Sequence, residues 1–147
     1  MYDTPATMKK LVYIVEDNPV QQKLLQVHFE ERLGNYTVRT FPHPKEIFDH
    51  LEEKPFAVVL DHFFGEDKNE TGLVYLRQLK KADDSIPVIY YTTLNDAAVR
   101  AEVMKLGAVE YIIKDSASLV RLRTALDRIH EKASRKKGFI QRLFGKS

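Results

Sequence analysis

At 147 residues, with 44% hydrophobic and 30% charged side chains, the chain has the length and composition of one folded domain with a substantial core. It has no cysteine, which excludes disulfides, thiol catalysis and zinc–thiolate centres. No apolar run approaches the roughly 20 residues of a membrane helix, and the first eight residues lack the basic and apolar regions of a secretory signal, so a cytoplasmic protein is expected.

Short apolar runs alternate along the chain with helix-like stretches. Leu11–Val15 predicts the first strand. Asn18-Pro19 then offers an N-cap followed by proline at the first helical position, and Gly34 falls where that helix should stop. Leu24, Leu25, His28 and Phe29 form its apolar stripe. The second run, Tyr36–Phe41, alternates and suits an edge strand. Phe56–Leu60 and Ile86–Tyr91 predict the third and fourth strands, and three of the five runs are nearly continuous, as in parallel strands covered on both faces. Ala98, Val99, Val103, Met104 and Leu106 mark a helix ending at Gly107. Ala108–Ile113 is the fifth run, and Leu119, Leu122, Leu126 and Ile129 mark the last helix. Such repeated units predict an α/β sheet with helices on both faces.

In such a sheet, ligands bind in the crevice outside the carboxyl ends of the strands. The first run ends in Glu16-Asp17, the third in Asp61, the fourth in Thr92-Thr93 and the fifth in Lys114. Three carboxylates in one pocket repel each other unless a cation is present, and a hard divalent ion with oxygen ligands, Mg²⁺ or Mn²⁺, resolves this. Lys114 supplies positive charge for phosphate oxygens and Thr92 a hydroxyl. An acid pair, a nucleophilic Asp, a hydroxyl and a Lys make a phosphoryl-transfer site.

Glu16-Asp17, Asp61, Thr92 and Lys114, in this order at these strand ends, resemble the receiver domain of two-component response regulators. The resemblance covers residues 9 to about 132. It implies a doubly wound, flavodoxin-like (βα)5 parallel sheet of order 2-1-3-4-5. It further implies that Glu16, Asp17, Asp61 and the backbone carbonyl of Phe63 hold Mg²⁺. Asp61 would attack the phosphorus of a phosphohistidine or small acyl phosphate, and Thr92 and Lys114 would bond the phosphoryl oxygens. Tyr111 matches the aromatic switch that turns inward when the threonine moves. The surface of the fourth helix, fifth strand and fifth helix would carry the readout. A histidine kinase or histidine phosphotransfer protein is the implied donor, and a downstream protein the implied target.

The chain departs from that pattern in three places. Asp115 follows the lysine where the family usually has proline, often with a cis bond; the carboxylate either competes for Lys114 or caps the last helix, and the cap is favoured. The loop from His62 to Gly72 is longer than usual and places its glycine late, and its acids Glu66, Asp67 and Glu70 read as a solvated loop rather than a second cation site. Phe63 and Leu94 occupy the two positions that help orient the hydrolytic water, and neither side chain can do so. Slow self-dephosphorylation is the expectation. Tyr90, Tyr91, His28 and His62 are read as packing residues.

The net charge of +2 conceals an asymmetry. Lys132, Arg135, Lys136, Lys137, Arg142 and Lys146 fall within 132–146 without an acid, and removing those six charges leaves −4 for the rest. Residues 1–8 are read as a tail, 9–132 as the receiver and 133–147 as a basic amphipathic tail in which Phe139, Ile140, Leu143 and Phe144 share one face. A helix this short is marginal alone. Docking on its own domain or in a homodimer ranks first, a partner groove next, a membrane surface third, and nucleic acid last, since no recognition module accompanies the charge. The leading reading is a stand-alone phosphorylated switch that is not an enzyme. A phosphate-independent adaptor is the alternative. A phosphatase of the haloacid dehalogenase type fits poorly, because Phe63 stands where its second Asp would be.

Overall fold

A computed structural model of the chain describes residues 9–65 and 69–145. The expectations for residues 1–8, for Glu66 and Asp67 and for Lys146 lie outside them. The strands are β1 (Lys10–Val15), β2 (Tyr36–Phe41), β3 (Ala57–Leu60), β4 (Val88–Thr92) and β5 (Glu110–Ile113). They pair in parallel in the order β2-β1-β3-β4-β5, as the resemblance implies. β2 lies at an edge and shows the alternating burial its sequence suggested, while every residue of the central β3 and β4 is buried.

Burial on both faces divides the core in two. Side chains of one parity, including Val12, Ile14, Val59, Ile89 and Ile112, pack beneath the first and last helices against Leu25, Phe29, Leu122 and Leu126. The other parity, including Tyr13, Leu60, Val88, Tyr90 and Tyr111, packs against Leu76, Leu79 and Val103 of the two middle helices. Tyr90 and Tyr91 thus face opposite layers, as alternation along a strand requires.

Local signals set most helix ends. Helix α1 (Pro19–Val27) starts at Asn18, whose side chain accepts from the N–H groups of Val20 and Gln21, and Pro19 follows. It continues as a π-helical turn, His28–Leu33, and stops at Gly34, whose φ of 72° is left-handed. Helix α2 spans Gly72–Ala82. Helix α3 (Ala97–Lys105) is capped by Asp96 and is followed by Gly107. Leu25 and Phe29 of the first stripe are buried, but Leu24 is half exposed.

Two expectations need correction. The connection from β2 to β3 is not an α-helix but two 3-10 segments, Pro44–Asp49 and Leu51–Glu53. Pro44 stands at the first helical position of one segment, and Lys54, left-handed just before Pro55, ends the other. The fourth and fifth helices expected for the readout surface are therefore α3 and α4 (Ser118–Phe144) here. Nor does the tail dock on its own domain. Helix α4 runs unbroken from Ser118 to Phe144, its last buried residue is Ile129, and Phe139, Ile140, Leu143 and Phe144 are 47–79% exposed. No proline interrupts residues 118–144, and one glycine costs only about 1 kcal/mol in a helix interior, so the helix propagates.

His28 is structural, as expected, but its buried Nε2 has no hydrogen-bond partner. Burial, then the charges of Arg32 and Arg123, hold its pKa below the ordinary 6.5. The unfolded chain therefore takes up this proton more readily than the folded one. Its contribution to stability is complete above about pH 6.5 and is lost as pH falls through the lowered value. Urea unfolding at about pH 7.5 and about pH 5 should show a loss of stability on acidification that is smaller in His28→Leu.

Candidate functional site

The strand registers bring the polar strand ends to one edge. Val15 pairs with Leu60 and Leu60 with Tyr90, so Glu16 and Asp61, the next residues of β1 and β3, stand side by side. The N–H of Lys114 donates to the carbonyl of Thr92 (2.8 Å), which places the lysine beside the end of β4.

The centre of the site is the Lys114 ammonium. Its Nζ lies 2.8 Å from Asp61 Oδ2 and 2.9 Å from Glu16 Oε1. Glu16 and Asp61 are buried, and Lys114 is largely covered. Burial by itself pulls the Lys114 pKa down, but the hydrogen bond and charge of Asp61, with those of Glu16, outweigh it and raise the pKa above that of a free lysine. The cation required to hold two carboxylates in one pocket is thus supplied in part by the chain itself.

Backbone donors complete the shell. Asp61 Oδ1 accepts from the N–H of His62 at 2.6 Å and that of Phe63 at 3.4 Å. Glu16 Oε2 accepts from the Asn18 N–H (3.2 Å), and the exposed Asp17 accepts from the Gly65 N–H (3.1 Å). Thr92 is fully buried, and its Oγ1 accepts from the Leu94 N–H. The Phe63 ring is half exposed. Among the described residues, no three carboxylate or imidazole side chains cluster tightly enough to hold a metal as they stand. Glu16, Asp17 and Asp61 nonetheless form an all-oxygen donor set at adjoining strand ends, the ligand chemistry that Mg²⁺ and Mn²⁺ favour.

Tyr111 lies inward. It is buried, stacks on Tyr90 (centroids 5.6 Å apart, planes at 19°), and donates its hydroxyl to the Leu94 carbonyl at 2.6 Å. The Arg100 guanidinium covers the ring at 5.5 Å. A groove of about 420 Å³ opens beside it between α3 and α4, lined by Arg100, Tyr111, Ile113 and Arg121 among others.

Asp115 does not compete for Lys114. Its Oδ1 accepts from the Ala117 N–H (2.9 Å) and pairs with Arg121 (2.7 Å), which turns the chain into α4. The helix's own N-cap position falls on Ala117, so the carboxylate acts two residues ahead of it. The Lys114–Asp115 bond is trans.

The sequence did not reveal a buried pair beside the nucleophile candidate. His62 Nδ1 lies 2.6 Å from the Tyr90 hydroxyl. Burial lowers the His62 pKa, and burial followed by the charge of Asp61 raises that of Tyr90, so both are neutral near pH 7. The late glycine of the loop has its explanation here. A Cβ on Gly72 would lie 2.1 Å from the Asp61 carbonyl oxygen and 2.6 Å from the Tyr90 hydroxyl. The Gly72 N–H donates to the His62 carbonyl (2.9 Å), so the loop closes on itself where only glycine fits.

A parallel sheet with an acid pair, a buried Asp and a Lys at its carboxyl edge defines a phosphoryl-acceptor class of signalling domain. Residues 12–127 match the response regulator receiver domain family, and the chain belongs to it. Receiver domains serve two-component signalling and bind Mg²⁺ at their phosphorylation site. A probable transcriptional regulator, ycf27 of Guillardia theta, is 26% identical over 134 residues. That match takes in 89% of this chain but 51% of the regulator, so the chain spans about half of its length. Among solved structures, the BeF3-activated DrrB receiver domain superposes with a TM-score of 0.69 at 23% identity, covering 84% of this chain and 99% of that one. A response regulator receiver protein from Pseudoalteromonas atlantica gives 0.72 at 18% identity, covering 84% and 98%. At these identities the likeness is one of fold.

Gly72→Ala should destabilise the protein by roughly 1–3 kcal/mol or more, since the clash is with backbone and cannot be relieved by a rotamer. Gly138→Ala, whose Cβ meets nothing within 4 Å, should instead stabilise by about 0.5–1 kcal/mol. Denaturant melts of the two variants check both signs.

Proposed function

We propose that Asp61 accepts a phosphoryl group and that the resulting acyl phosphate changes what the α3–β5–α4 face binds. The observation that supports this most directly is the Lys114 ammonium held within 2.9 Å of both Asp61 and Glu16. An Asp61 carboxylate oxygen forms the new bond to phosphorus, and the bond from phosphorus to the donor's nitrogen or oxygen breaks with its electron pair leaving on the donor. Lys114 exchanges part of its contact with the carboxylates for the phosphoryl oxygens, where its charge opposes the negative charge that builds up. The Thr92 hydroxyl, whose oxygen accepts from the Leu94 N–H, has a proton to donate to a phosphoryl oxygen.

Glu16, Asp17, Asp61 and the Phe63 carbonyl would hold Mg²⁺. When bound, the ion supplies charge neutralisation and alignment of the phosphoryl group. The donor is a histidine kinase, a histidine phosphotransfer protein or a small acyl phosphate, and the readers are protein partners, a second copy among them. Phe63 and Leu94 offer no side-chain group to position water, so the acyl phosphate decays slowly. The seat of Tyr111 favours a second reading. Its ring already lies inward with its hydroxyl on Leu94, so an adaptor that acts without phosphate would present the same face.

Incubation with Mg²⁺ and acetyl phosphate should add one phosphoryl group to the intact mass. The adduct should be absent in Asp61→Asn, blocked by a chelator and strongly reduced in Lys114→Ala. A folded protein that takes no phosphoryl group from acetyl phosphate or from a panel of histidine kinases would establish the adaptor. Phosphate release from the isolated phosphoprotein should be slow, and faster in Phe63→Asn.

A further inference from the structure

The half of α4 beyond Ile129 adds no buried side chain to the receiver core. Every residue from His130 to Gly145 except Gly138 is exposed, and this stretch is roughly 22 Å long at 1.5 Å per residue. Its chemistry is ordered along the axis. Lys132, Arg135, Lys136 and Lys137 form a collar, and Phe139, Ile140, Leu143 and Phe144 form the end. At 100° per residue these four apolar side chains fall within an arc of roughly 140°. Arg142 lies roughly 60° beyond one margin of that arc and Lys137 roughly 20° beyond the other. The opposite face carries Ser134, Gly138, Gln141 and Gly145, with Glu131 at its base.

We propose that this projecting end of α4 is a membrane-surface anchor, which enters an anionic lipid bilayer obliquely by its apolar end while the basic collar meets the headgroups. Charge selects this occupant. Residues 132–145 hold five cations and no acid, which complements an anionic surface, whereas two such ends laid side by side would set like charges against each other. Long basic side chains at the margins of an apolar face can keep their charges in the headgroup layer while their stems cover hydrocarbon. The helix is not long and apolar enough to cross a membrane, which fits a segment that enters the surface. Oblique entry also clears the domain, because the apolar end continues the same side of α4 that Leu122, Leu126 and Ile129 bury against the sheet. A helix lying flat on that side would drive the domain into the lipid.

The test is co-sedimentation of the full chain with phosphatidylcholine vesicles containing roughly one third phosphatidylserine, against pure phosphatidylcholine. Binding is expected to the anionic vesicles only and to weaken with salt. Lys136→Glu with Lys137→Glu should lower the affinity by more than about twentyfold, since each basic residue near such a surface contributes about fivefold. Phe139→Ser with Phe144→Ser should lower it at least about tenfold. All four positions lie beyond the last buried residue of α4, so the domain should keep its melting behaviour. Absence of binding to anionic vesicles by the folded chain overturns the proposal. So does tail-dependent self-association that persists in their presence, which would make a second copy the occupant.

Discussion

The edge of the sheet is organised by one problem: β1 and β3 end side by side in carboxylates that are both buried. Without a partner that placement is costly, since buried charge must be paired or neutralised. The Lys114 ammonium resolves it from β5, two strands away from Asp61 in the sheet. With contacts at 2.8 and 2.9 Å, the Lys114 ammonium links the end of β5 to the carboxylates that end β1 and β3. A change in the charge of Asp61 changes what Lys114 is paired with, and the same strand carries Tyr111.

Aromatic rings extend this dependence across one layer of the core. His62, the residue after Asp61, meets the Tyr90 hydroxyl; Tyr90 stacks on Tyr111; and Arg100 of α3 lies over Tyr111. Tyr90 is fully buried and the other two rings nearly so, and Gly72 presses against both Asp61 and Tyr90 with no room for a methyl group. In a layer packed this closely, a displacement at Asp61 has few directions in which to relax. His62, Tyr90, Tyr111 and Arg100 thus form one line of contacts between Asp61 and the α3–β5–α4 face.

Much of this was legible in the sequence. The strands came from short apolar runs, three of them nearly continuous and that of β2 alternating, and the ends of α1 and α3 from Asn18-Pro19, Gly34 and Gly107, because such signals are local. The convergence of Glu16, Asp61, Thr92 and Lys114 followed from strand polarity alone, since all parallel strands end at one edge. What escaped depended on tertiary partners. His62 and Tyr90 are 28 positions apart and look like packing residues until the register brings them together. The connection after β2 lacks a periodic signal strong enough to separate 3-10 turns from an α-helix. Asp17 had to be seen to be found on the Gly65 N–H. The tail is helical as expected, but it continues the last helix rather than forming a short one of its own, since residue 133 marks no break in hydrogen bonding.

Helix α4 also gives the molecule a polarity. It begins next to the site, where Arg121 bonds the Ile113 carbonyl at the end of β5, and by Arg128 it has returned to Glu110 at the start of that strand. The helix therefore runs against the strands and leaves the domain at the pole opposite the carboxylates. Chain direction alone separates the two ends. Whatever holds the far end of α4 leaves Asp61 at the free pole, open to molecules arriving from solution, and fixes which way the domain faces without touching its chemistry.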